Sequence, residues 1–180
     1  MIVETATLIA LSTLAATGVF HLRALPTFSR IVRQHRIWSY RAAPVVATCV
    51  VFGELVVGAG GMVAMFAGDE AARRLAVVLA VAAYASFTAY GAFLLRSRPG
   101  VPCGCSAGGE EPANEATVGR SAALALIAVV ALLGTSSLHA SMQELEFAFT
   151  LLAGSALALL TWLLPAALHL PTPSAGEPSH

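Results

Sequence analysis

Five apolar runs, each close to the length that crosses a bilayer, leave this chain few folds to choose from. A helix needs about 20 apolar residues to traverse the hydrocarbon core. Inside lipid only helices and closed barrels satisfy their own backbone hydrogen bonds. Residues 2–20, 45–66, 75–95, 121–138 and 147–168 meet that length, and the third run holds no charged side chain at all. Pro44 stands before the second run, where its missing N–H costs a helix nothing. The expectation is an all-α fold, a polytopic transmembrane helical bundle spanning residues 1–170 as one unit. The remaining stretch, 171–180, is rich in Pro, Ser and Gly and carries too little apolar surface to order itself.

Composition agrees. Hydrophobic residues make up 57% of the 180 and charged residues 11%, against about 25% charged in soluble domains. The mean hydropathy is +0.78. Net charge is zero, which removes the electrostatic case for a nucleic-acid partner. All ten basic residues are arginine, a bias that suits a GC-rich, bacterial genome; the apolar composition makes a bacterial cell membrane the expected location. No Lys or Arg precedes Arg23, and Glu4 stands where a signal peptide would be positive, so the first run is expected to stay in the mature protein. Gly53, Gly58, Gly60 and Gly61 in the second run suit close helix approach, within the bundle or in a homo- or hetero-oligomer.

The stretch 21–43 differs from the runs around it. Arg23, Arg30, Arg33, Arg36 and Arg41 alternate with Leu25, Phe28, Ile31, Val32, Ile37 and Trp38. The 28, 31, 32 spacing fits one face of an amphipathic helix lying among the headgroups; an ordinary basic loop is the alternative. Arginine counting depends on which it is. With five spans, loops 21–44 and 96–120 carry five and three arginines, against Arg73 and Arg74 opposite. The positive-inside rule then puts loop 96–120 in the cytoplasm. If the basic stretch is interfacial, three against two decides nothing.

Chemistry concentrates in Pro102-Cys103-Gly104-Cys105-Ser106. Cysteines at i and i+2 can come within disulfide range, and Gly104 between them gives the backbone the freedom to turn. Thiol–disulfide exchange is the natural reaction. Idle loop thiols and half of a soft-metal site are the competing readings, since zinc wants four ligands. Crossing parity puts His21, Cys49 and Arg120 on the same side of the membrane as this loop, with Glu54 deeper. A carboxylate inside a span costs about 2.5–3.5 kcal/mol on insertion scales, so Glu54 should face inward toward a partner. It can relay protons, hydrogen-bond a quinone-like head group, or simply bond a Ser or Thr of another helix. Arg120 can lower a neighbouring thiol's pKa or act as a snorkelling anchor.

The order of these features resembles the methylamine-utilisation MauE group within the wider DoxX-like membrane proteins. It comprises a first span, a basic amphipathic stretch from His21 through Phe28 to Trp38, and Glu54 in Gly53-Glu54-Leu55-Val56-Val57-Gly58. A third span, Cys103-Gly104-Cys105 and Arg120 at the head of the fourth span complete it. The resemblance covers residues 1–138; Ser106-Ala107 and Ser121 stand where members often have Phe-Gly and Asn. It implies a four-helix core, here followed by a fifth C-terminal span, and disulfide chemistry outside the cytoplasm. MauE itself is linked to maturation of the disulfide-rich small subunit of methylamine dehydrogenase, beside a thioredoxin-like partner. By that precedent Cys103 and Cys105 cycle between dithiol and disulfide. Glu54 is the third catalytic candidate, with Cys49, His21, Arg120 and Gly104 in support. No cofactor is required, although a membrane quinone can serve as the further electron carrier. Two alternatives remain at this stage: a non-catalytic assembly scaffold, and a soft-metal carrier using Cys49, Cys103, Cys105 and Glu54.

Overall fold

The computed structural model describes residues 2–104 and 112–134. Five helices follow one another: α1 (Ile2–Arg23), α2 (Leu25–Gln34), α3 (Ala42–Ala67), α4 (Glu70–Ser97) and α5 (Glu115–Gly134). Four of them, all but α2, are long and apolar enough to cross a membrane. They correspond to the first four apolar runs. The fifth run, 147–168, and the tail lie outside the described residues. No strand occurs among the described residues, only a single bridge between Pro102 and Pro112.

Local chemistry explains why the helices begin earlier than hydropathy suggests. Gly68, at φ 71°, ends α3 in the left-handed region that suits glycine. Asp69 follows at once as the N-cap of α4, its side chain accepting from the Ala72 N–H at 3.0 Å. The cap lets α4 start at Glu70, so Arg73 lies inside the helix and bonds Glu70. Asn114 caps α5 in the same way, its Oδ1 accepting from both the Thr117 N–H (2.8 Å) and the Thr117 hydroxyl (2.9 Å). That cap adds six residues before the expected start at 121. Arg120, read from sequence as a flank, is therefore part of α5 and buried.

The four long helices form a ring in which α1 lies between α3 and α5, and α4 closes the far side. More than half of α1's apolar window is enclosed, against a third or less for the other three. Its Ile9, Ala10, Leu11 and Leu14 meet Ala76, Ala80 and Tyr84 of α4 and Leu124 and Ala128 of α5. The Tyr84 hydroxyl donates to the Ala10 carbonyl at 2.7 Å, a polar tie of the kind that joins helices in lipid. Outward positions such as Val56, Val63, Leu75, Leu126 and Leu133 are exposed and apolar, as a lipid-facing surface requires.

The amphipathic stretch folds as a shorter helix than expected. After a break at Ala24, α2 runs for ten residues with Pro26 in its first turn. Its apolar face is turned inward, with Val32 packed on Ala43 and Ala47 of α3 and Phe28 beside them. Arg30 and Arg36 stay exposed, while Arg33 stacks over the Tyr40 ring at 4.4 Å. Thus α2 caps one end of the ring and presents its arginines outward.

Of the four glycines expected to mediate close approach, two do so. A Cβ on Gly58 would collide with the backbone nitrogen of Ala15, and one on Gly61 would press Ala76 and Leu11. Gly53 and Gly60 have no described atom within 4 Å of that position. Overpacking a tight core costs about 1–3 kcal/mol, and here the obstacle is backbone that no rotamer change relieves. Gly58→Val should therefore lower the thermal midpoint of the purified protein by several degrees, whereas Gly60→Val should leave it unchanged or higher.

Candidate functional site

Helix α1 ends at the cysteine-loop end of the bundle, and His21 sits in its last turn. From there its ring reaches two other parts of the chain. Nδ1 lies 2.8 Å from Glu54 Oε2 on α3, and Nε2 lies 2.9 Å from the Gly104 carbonyl. A carbonyl can only accept, so Nε2 carries a hydrogen. Nδ1 and the carboxylate then hold one proton between them, as imidazolium–carboxylate or as imidazole–carboxylic acid. Either arrangement is neutral overall, which suits a carboxyl that is 4% exposed inside a span. The Phe28 ring of α2 stacks on the His21 imidazole, nearly parallel at 4.3 Å between centroids.

A second histidine repeats the pattern one residue pair away. His35, at the C-cap of α2 and 1% exposed, places Nε2 2.7 Å from the Pro102 carbonyl and Nδ1 2.6 Å from the Tyr90 hydroxyl of α4. Burial holds this imidazole below its ordinary value of 6.5, the bond to Pro102 opposing without overcoming it. At neutral pH His35 is therefore neutral: Nε2–H donates to Pro102, and Tyr90 donates to Nδ1.

The two histidines bracket Cys103, whose neighbours on both sides have their carbonyls held. The Cys103 side chain is buried with Leu94, Ala113 and Tyr90. The base of the loop is closed by the Ala113 N–H donating to the Val101 carbonyl at 3.1 Å, beside the Pro102–Pro112 bridge. Gly104 has φ 75°, and a Cβ there would stand 3.1–3.2 Å from the Phe28 ring and Ile31. The positive φ favours glycine, and the close side chains leave little room for a Cβ.

Above the loop base lies a cavity of about 330 Å3 with a mostly apolar wall. Cys103, His21, His35, Glu54 and Arg120 all line it. Five of the residues singled out from sequence thus converge: Cys103, Gly104, His21, Glu54 and Arg120. Cys105 lies outside the described residues. Cys49 does not join them; it is exposed on the outer side of α3. Among the described residues no three His, Cys, Asp or Glu side chains are grouped as a metal site.

Sequence reasoning missed His35 and the role of Tyr90. His35 lies four residues after Ile31 and seven after Phe28, so the helical period already placed it on the inward face of the basic stretch. Thr13 and Thr17, eight and four residues before His21, fall on the same stripe of α1 and also line the cavity.

No curated protein and no solved structure matches the chain. A family model described as "Methylamine utilisation protein MauE" matches residues 1–134. That stretch takes in all five described helices, His21, His35, Glu54 and the whole cysteine loop, so the bundle and its site fall within the match. The chain belongs to the MauE family, as a multi-pass membrane protein associated with methylamine utilisation.

Proposed function

We infer that this protein is a membrane-embedded thiol–disulfide exchange protein, with Cys103 and Cys105 as its reactive pair and a thioredoxin-like protein as its partner. The observation that carries this reading is the treatment of Cys103. Two histidines from two helices, His35 buried and His21 half-buried, hold the carbonyls on either side of one cysteine, in the wall of a cavity. A scaffold has no need to fix a thiol in this way. In exchange, a thiolate attacks one sulfur of a disulfide, a mixed disulfide forms, and the neighbouring cysteine resolves it. One S–S bond is broken and one made, and the released sulfur takes up a proton. Neutral His21–Glu54 and His35 keep the loop in place without adding net charge beside the thiol. MauE membership supports a methylamine-utilisation setting, and within it the client chemistry we infer is maturation of an exported, disulfide-bearing protein. A non-catalytic scaffold and a soft-metal carrier are the readings that the cysteine experiments would separate from it.

Replacing one cysteine at a time should trap the intermediate. In membranes from cells making Cys103→Ser or Cys105→Ser protein, one variant should accumulate a reducible adduct with a thioredoxin-fold protein identified by mass spectrometry. The double Cys→Ser variant should fail to complement a strain lacking the protein. Full complementation by that double variant, with no adduct from either single variant, would refute the exchange reading.

The His35 tether also has a pH signature. Its folded-state pKa is depressed, so the unfolded chain takes up this proton first as pH falls through 6.5. Stability from this group is present above 6.5 and is lost on acidification below it. The thermal midpoint should fall between pH 7 and pH 5. That fall should be smaller in His35→Gln, which retains an N–H donor for Pro102 but does not titrate.

A further inference from the structure

The cavity has a polar donor that nothing among the described residues uses. Thr7, Ser12, Thr17, Thr88 and Ser121 each return their hydroxyl to the carbonyl four residues back. Thr13 does not: its Oγ1 is buried, lines the cavity and has no hydrogen-bond partner among the described residues. An unmade bond on a buried hydroxyl costs about 1–3 kcal/mol, so a ligand offering an acceptor there removes a standing penalty. The residue is 4% exposed, which leaves the cavity interior as the place for that acceptor.

The way in points to the class of ligand. The cavity's lining reaches the surface along α3 and α4, where Val46, Val50 and Phe87 are half-buried and Ser86 exposed, and at exposed Trp38 in the segment leading into α3. Those two helices are joined at the other end by the tight turn at Gly68–Asp69, and their outer faces are apolar. Entry is thus sideways, from lipid. Within, the walls are largely apolar, and the parallel Phe28–His21 stack gives a flat surface. Thr17, Tyr84, Ser86, Ser121 and the His35–Tyr90 pair line the cavity but spend their hydrogen bonds within the protein. The other polar groups are the orphaned hydroxyl, the proton shared by His21 and Glu54, and the Arg120 guanidinium. A fatty acid would bring a second carboxylate beside Glu54. A flat, uncharged ring with carbonyl acceptors meets every condition.

We propose that the cavity between α1, α3, α4, α5 and the cap helix α2 binds the head group of a lipid-soluble quinone, with Thr13 donating to a ring carbonyl. The site also defines a direction for the exchange reaction, and for its electrons the proposal rests on the reading above. The Cys103/Cys105 dithiol loses two electrons and two protons, two S–H bonds break and one S–S bond forms. The quinone gains the two electrons and two protons and leaves as quinol. The His21–Glu54 proton can be lent to the reduced ring oxygen and restored from a thiol. The protein would then be charged with disulfide from the membrane and would pass it outward.

Trp38 lines the cavity, and Trp162 is the other of the two tryptophans, so Trp162→Phe leaves one reporter at the site. The full chain in nanodiscs should show saturable quenching of Trp38 by decylubiquinone. Thr13→Val should weaken the apparent affinity about three- to tenfold, the worth of one hydrogen bond. Val50→Phe, which fills the cavity, should abolish saturation, while Val56→Phe on the exposed face of α3 should change nothing. Quenching that rises linearly and is indifferent to Thr13→Val and Val50→Phe would overturn the site, since it reports partition into lipid alone. Equal competition by oleate or decylbenzene would overturn the quinone in favour of an acyl chain. Cys103→Ser should bind as wild type. If reduced wild-type protein binds the quinone saturably yet never reduces it, the binding site stands and the exchange reading falls.

Discussion

His21 is the residue through which the fold and the site depend on one another. Its two nitrogens join the end of α1 to the middle of α3 and to the cysteine loop. The backbone carbonyl of Gly104 accepts and never donates, so it dictates the tautomer. The tautomer in turn leaves Nδ1 facing a carboxyl, and the two share a proton without net charge. A buried carboxylate in a span would otherwise be costly. Here the same interaction neutralises it, fixes the loop and registers α1 against α3. The close packing at Gly58 and Ala15 makes this register reachable, because a wider helix separation would carry the imidazole away from Glu54.

The loop is held as a consequence of several weak constraints that agree. His21 and His35 grip the carbonyls on either side of Cys103, the Val101–Ala113 bond closes the base, and Gly104 takes a backbone angle that few other residues would accept. Neither histidine comes from the segments that carry the cysteines. Both come from the stretch spanning the end of α1 and α2, so α2 is better understood as the part that positions the loop than as a membrane float. Its inward apolar face and outward arginines fit both a cap on the bundle and a boundary with headgroups.

The four described spans were legible because crossing a bilayer is a demand on length, and length survives in sequence. The helix starts were less so: Asp69 and Asn114 are N-caps whose meaning depends on side-chain bonds to residues three positions on. Glu54 was legible as inward-facing, but the roles open to it were a proton relay, a bond to a quinone-like head group or a bond to a Ser or Thr, and the partner the fold brings to it is His21. The placement of Cys49 shows what depth alone misses. It lies at about the right level, yet it is five residues from Glu54, and at about 100° per residue that sets it about 140° round the helix. Val46 and Val50, at four-residue steps from Glu54, are the ones that face the cavity. His35 was hidden for the opposite reason: it was counted within a basic stretch whose apolar face already included it.

On the proposed exchange reading, proton traffic would tie these parts together. Forming a disulfide from two thiols releases two protons, and a cavity walled by apolar side chains has few places to put them. The hydrogen on His21 Nε2 is committed to Gly104, and losing it would release the loop. The hydrogen between Nδ1 and Glu54 is under no such constraint, since either partner can hold it and the tether survives. His35 is arranged differently, with Tyr90 donating to its second nitrogen, so it holds the loop while exchanging no proton of its own at neutral pH. One histidine therefore combines tether and proton store, and the other is tether alone. That division follows from what stands opposite each Nδ1, a carboxyl in one case and a phenol in the other. It makes the Glu54 carboxyl, rather than either imidazole, the feature that distinguishes a site able to move a proton from one that merely holds a loop.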